Sequence, residues 1–137
     1  MRALILRPIE VKELLDKGMV TIMRPFASHR SPRISLENRF YIKEPWKADI
    51  YHICGGISCE CDTVAITYSD GAIQTFWDGD IDSDWTFPKV TTVNNFPQWA
   101  ARLFVNVNKR EIIPCNTCKS GYKYKIVLKS ALRNNHE

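Results

Sequence analysis

The segment from Leu4 to Pro25, LILRPIEVKELLDKGMVTIMRP, constrains the fold of this chain more than any other. It reads as a strand, a short helix over 8–17 and a return strand. Pro8 marks the helix start, because its fixed φ and missing N–H are tolerated in a first turn. Val11, Leu14 and Leu15 recur at helical spacing and give the helix one apolar face. Glu10 and Glu13 come early and Lys17 late, the order the helix dipole favours. Gly18 stands where a left-handed residue would end the helix. Thr21 and Arg24 follow just after that cap, and function is expected near them.

Further along, the apolar period changes from helical to alternating. In Arg39–Trp46, Phe40 and Ile42 share one strand face while Tyr41 and Lys43 share the other. Pro45 ends the pairing, since it has no N–H for a ladder. Residues 49–77 read as a meander: Val64, Ile66 and Tyr68 alternate, Asp70-Gly71 supplies a hairpin turn, and Ala72 to Trp77 returns. Arg102 to Ile113 and Tyr122 to Lys129 alternate in the same way. The second of these carries Lys123, Lys125 and Lys129 on its polar face, which serves solubility, edge protection or a phosphate track.

The intervening stretches are irregular. Residues 27–38 read as a surface loop in which His29, Arg30 and Arg33 could touch phosphate, although a solvated loop is the simpler reading. Residues 85–101 read as a long crossing loop. Its aromatics Trp85, Phe87, Phe96 and Trp99 are expected to pack into the core, with base stacking as the alternative. The tail from Ala131 to Glu137 is expected to fray.

The expected fold class is α+β: a single domain over 1–137, forming a small, mostly antiparallel barrel of five or six strands with one short N-terminal helix. The chain has 137 residues, enough to bury a core without staples. Its N-terminus lacks an apolar leader, and no apolar run approaches the ~18 residues of a membrane span. The expected location is therefore cytoplasmic, with no membrane partner. A net charge of +4 leans mildly towards nucleic-acid or phosphate partners.

Five cysteines without a signal peptide argue for reduced thiols or a metal rather than a disulfide framework. Cys59 with Cys61 and Cys115 with Cys118 could form a structural zinc site, His52 or Cys54 replacing one ligand. No motif requires a cofactor. The Asp78–Asp84 loop has the look of a calcium loop but carries Ser83 where glycine is needed and Lys89 where the glutamate is needed, so it reads as a solvated acidic loop. No Ser-His-Asp set, P-loop or H-E-x-x-H is present.

Three segments in order resemble the ASCH domain, a PUA-like β-barrel family, and especially its small phage-borne members. They are Gly18 to Arg24, the Ile42-Lys43-Glu44-Pro45-Trp46 strand end, and Pro97-Gln98-Trp99-Ala100-Ala101-Arg102-Leu103. The resemblance covers most of residues 3 to 107 and implies a barrel in a phage- or prophage-encoded protein. Two departures weigh against the acyl chemistry of the family's amidohydrolase-like members. The turn lysine is replaced by Val20 and the second threonine by Met23, and neither replacement can activate a nucleophile or polarise a carbonyl.

The leading expectation is an RNA- or nucleotide-binding module without catalysis. Its cleft would lie between Thr21–Arg24 and Glu44–Trp46. There Thr21, Arg24, Lys43, Glu44 and Trp46 contact the ligand, Arg24 and Glu44 approach each other at the barrel mouth, and Trp46 stacks on a base. The alternative is a nuclease or an amidohydrolase acting on RNA or a modified nucleoside, with Glu44 as general base. A phage factor that binds a host protein would leave no readable motif.

Overall fold

A computed structural model of the chain describes residues 2–25, 39–52 and 62–131. In chain order the elements are β1 (Arg2–Ile5), α1 (Pro8–Lys17), β2 (Met19–Pro25), β3 (Arg39–Lys43), β4 (Lys47–His52), β5 (Asp62–Thr67), β6 (Ile73–Trp77), β7 (Phe104–Pro114) and β8 (Tyr122–Ala131). The expected loop at 27–38 and almost all of the expected tail lie outside the described residues.

Local chemistry explains the α1 boundaries. Pro8 occupies the first turn, and the Arg7 N–H donates to Glu10 Oε1 at 2.9 Å, giving one orphan donor of the helix start a partner. At the other end Gly18 takes φ 70° and donates to the Leu14 carbonyl at 2.8 Å. A side chain there would meet no neighbour, so glycine is required by the left-handed backbone rather than by space.

The strands form two sheets, one in the order β1-β3-β7-β8-β2 and one in the order β4-β5-β6. Among the described strands only the β1–β3 pair is parallel. The α+β, mostly antiparallel architecture with one helix agrees with the sequence; among the described residues the strands form two sheets rather than one closed barrel. Among the described residues, β1 and β2 are the two edges of the larger sheet and share no ladder.

A side chain spans this gap instead. Arg24 faces the same way as Val20 and Ile22 on β2, and its Nη2 donates to the Ile5 carbonyl at 2.9 Å and to Glu10 Oε1 at 3.0 Å. Its Nη1 donates to Glu10 Oε2 at 3.2 Å, a bidentate fork on a half-sheltered carboxylate. β1 is only four residues long before the chain turns into α1, so arginine reaches its last carbonyl where a strand partner would have been.

Alternation distributes the core over both faces of the larger sheet. Phe40, Ile42, Val105 and Ile126 pack against Leu6, Val11 and Leu14. Tyr41 and Phe104, of opposite parity, pack against the smaller sheet through Val64, Ile66, Tyr68 and Phe76. Near β3 and the start of β7 the protein therefore has three layers: helix, large sheet and small sheet. Burying one such side chain fully stabilises the fold by ~1.5–3 kcal/mol. The 85–101 segment supplies part of the second core. Phe96 is buried, Trp85 and Trp99 are half-buried, and Phe87 is exposed.

Burial alone would raise the Glu10 carboxyl. The hydrogen bond from Arg24, the Arg7 N–H and the two guanidinium charges outweigh it and hold the group below its ordinary 4.5. A carboxyl depressed in the folded state contributes stability that is complete above the unfolded value and lost as pH falls through the folded one. Urea denaturation of the parent should therefore lose this contribution below about pH 4.5. Glu10→Gln should be less stable than the parent at pH 7 and show a shallower loss in acid. An equal acid slope in both proteins would show that Arg24 does not close the sheet through charge.

Candidate functional site

Glu44 leaves the end of β3 directly into the interior, with 0% exposure. Four donors meet its carboxylate. Arg102 Nε donates to Oε2 at 3.0 Å and Nη2 to Oε1 at 2.7 Å. The Ser69 hydroxyl and backbone N–H donate to Oε1 at 2.8 and 3.2 Å. Arg102 also reaches Asp70, its Nη1 donating to Oδ2 at 3.2 Å, and its guanidinium lies 4.5 Å from the centre of the Tyr68 ring. The Tyr68 hydroxyl in turn donates to the Ala100 carbonyl at 2.6 Å. One guanidinium thus ties β3 and the β7 entry to the β5–β6 turn of the other sheet.

Contacts within this network favour the charged forms of Asp70 and Arg102. Arg102, with the Ala72 N–H, keeps the Asp70 carboxyl below the usual range. Burial works against the charge on Arg102, and its contacts with Glu44 and Asp70 more than offset this. A groove of about 620 Å³ runs between α1 and this turn, lined by Pro8, Val11, Lys12, Leu15, Ser69 and Asp70.

The five residues expected to form one cleft are dispersed. Arg24 and Glu44 do not pair: Arg24 is taken by Glu10 and Glu44 by Arg102. Trp46 is buried at 5% and lies edge-on to Phe96, its Nε1–H donating to the Thr92 carbonyl at 2.7 Å, so its ring is packed rather than free to stack on a base. Lys43 Nζ donates to the Asn94 carbonyl at 2.7 Å. Thr21 alone faces solvent, opposite Val127 on the outer side of β2.

Comparison with protein-family models, with curated proteins and with solved structures gave no match.

Around Thr21 the outer surface of β2, β8 and β7 is basic. Lys129 stands opposite Met19, Lys125 opposite Met23 and Lys123 opposite Pro25. Lys109 lies across from Val127 and pairs with Glu111 at 2.7 Å, the carboxylate on that side. Lys123, Lys125 and Lys129 span ~20 Å along β8 at the usual strand rise. They share the strand with Tyr124, Ile126 and Leu128, which point into the core, so alternation presents the lysines outward.

The cysteine expectation meets a correction. Cys115 and Cys118, expected as reduced thiols or zinc ligands, form a disulfide in the turn between β7 and β8, with Cα atoms 5.5 Å apart. Chain proximity explains it: the Cys115 N–H bonds the Gly121 carbonyl and the Gly121 N–H bonds the Cys118 carbonyl, folding the two cysteines together. Cys54, Cys59 and Cys61 lie outside the described residues. Among the described residues no group of three or more His, Cys, Asp or Glu side chains is placed to hold a metal. No helix there is long and apolar enough to cross a membrane.

Arg102 lies in the Pro97–Leu103 segment, and its place in this network is not evident from the sequence alone. The available signal was its setting: a charge between Ala100-Ala101 and Leu103-Phe104-Val105 must find a partner when that run is buried. Removing the arginine strands the Glu44 charge, and breaking a buried pair in this way costs ~3–5 kcal/mol. Arg102→Ala should therefore unfold at much lower urea concentration than the parent, while Thr21→Ala stays within about 0.5 kcal/mol of it. Equal midpoints for Arg102→Ala and the parent would show that the buried pair does not hold the two sheets together.

Proposed function

We propose that this protein is a non-catalytic module that binds single-stranded RNA or a nucleotide, in keeping with its ASCH-like segments. The outer face of β2, β8 and β7 meets the phosphates. The observation that carries this reading is the row of Lys123, Lys125 and Lys129 along one strand, with Thr21 beside it. Lysines in line on an extended strand match a flexible polyanion better than a compact ligand, and each neutralised phosphate releases counterions. Among the described residues, Asn106 and the exposed Met19 and Met23 add no carboxylate to this face, and Glu111 is engaged by Lys109.

The enzymatic alternative finds less support. A general base needs a lone pair within reach of substrate. Glu44 is sealed from solvent and accepts from Arg102 and Ser69 through both oxygens.

Fluorescence anisotropy with a labelled oligouridine tests the reading. The parent should bind at low salt with log K falling linearly against log salt. Replacing Lys123, Lys125 and Lys129 by alanine together should reduce that slope by about two, at ~0.7 per phosphate contact. Lys12→Ala, on α1, should leave it unchanged. Undetectable binding by the parent at low salt, or a triple variant that binds as the parent does, would overturn the proposal.

A further inference from the structure

On the outer face of β2 the exposed side chains are Met19, Thr21 and Met23, while Val20 and Ile22 turn into the core. Met19 is 38% exposed and Met23 39%, and each stands opposite a lysine of β8: Met19 faces Lys129 and Met23 faces Lys125. Between them Thr21 faces Val127, an uncharged pair. The same methionine–lysine juxtaposition thus repeats along the strand at an interval of ~14 Å. A single surface methionine needs no explanation. Two in register with two lysines do. Among the described residues β2 is the outermost strand of the larger sheet and β8 is its neighbour. Charged side chains usually protect a sheet edge. Protection would place the lysines on β2, whereas they stand one strand further in and the edge strand carries the thioethers.

From this division we infer that a single-stranded nucleic acid lies along the β2–β8 pair with its phosphates over β8 and its bases over β2, where Met19 and Met23 each meet the face of one base. The inference rests on the nucleic-acid-binding function proposed above. A strand whose phosphates follow the β8 lysines must send its bases across one of the two neighbouring strands. On β7 the outward residues across from Lys129, Val127 and Lys125 are Asn106, Lys109 and Glu111, all polar. On β2 the corresponding residues are Met19, Thr21 and Met23. Methionine sulfur is polarisable and favours contact with aromatic rings, and its flexible side chain adapts to rings of different size. Such a contact uses no hydrogen bond, so it accepts any base. It does need an open base face, which a duplex keeps inside its stack, so the surface selects single strands.

Fluorescence anisotropy at low salt with two labelled probes of equal length tests this, one an oligouridine and the other an abasic oligomer with the same phosphates and no bases. The parent should bind the oligouridine at least ~3-fold more tightly than the abasic probe. Replacing both methionines, Met19→Thr with Met23→Thr, should weaken the oligouridine at least ~3-fold, leave the abasic probe as in the parent and leave the salt slope unchanged. Threonine keeps the strand preference of an exposed position, and the comparison of probes on the parent does not depend on the variant. Equal binding of the two probes by the parent, or oligouridine binding by the double variant equal to the parent's, overturns the base contacts and leaves the lysine face standing. A smaller salt slope in the double variant also overturns them, since the loss then belongs to phosphate contacts. A parent that binds neither probe refutes the lysine face and this inference together. Size-exclusion chromatography covers the other occupant of such a face. A parent dimer that the double variant dissolves, with oligouridine binding undiminished, would assign the methionines to a second copy of the chain and overturn the inference.

Discussion

The Glu44–Arg102 pair is the contact through which the two sheets know each other's position. Glu44 follows the last residue of β3 and Arg102 stands two residues before β7, both in the larger sheet, while Ser69 and Asp70 sit in the turn that joins β5 to β6 in the smaller one. Taking a carboxylate to full burial is unfavourable unless every oxygen is supplied with donors. Here the supply comes from both sheets, so the charge is satisfied only when they are docked. The aromatic residues around it, Tyr68 and Phe96 in particular, then complete a core that excludes water from the pair.

This arrangement also shows why an acidic residue beside a tryptophan is ambiguous as a functional sign. In an open cleft such a pair suits base recognition or proton transfer. In this fold the same two residues turn inward, Glu44 to a guanidinium and a serine, Trp46 to a backbone carbonyl. The open surfaces lie elsewhere and differ in charge. The lysine-bearing face belongs to β8 and its neighbours, whereas a pocket lined by Trp99 and Asp80 belongs to β6 and the short turn Asp78–Asp80 after it.

Arg24 carries a related lesson about closure. Among the described residues β1 and β2 are the rims of the larger sheet, and sheet edges need cover. The helix that joins them and the Arg24 fork onto Glu10 and the Ile5 carbonyl supply part of that cover. A side-chain bridge tolerates a change in strand spacing that a ladder of backbone bonds would not.

The sequence by itself determined the elements. Pro8 and Gly18 bound the helix because each carries its preferred backbone angle with it, and the alternations at Phe40–Ile42, Val64–Ile66 and Tyr124–Leu128 assigned the core faces because a strand's side chains alternate whatever lies above them. The outward lysines of β8 were legible for the same reason. Only the tertiary structure decided which charges meet. Arg24 finds Glu10 fourteen positions away and Arg102 finds Glu44 fifty-eight positions away. The same dependence governs the edge-on contacts of Trp99, the union of Cys115 with Cys118, and the grouping of the described strands into two sheets. Local preference acts over a few residues, whereas the partner of a buried charge is set by whichever segments the packing of distant apolar faces brings alongside it.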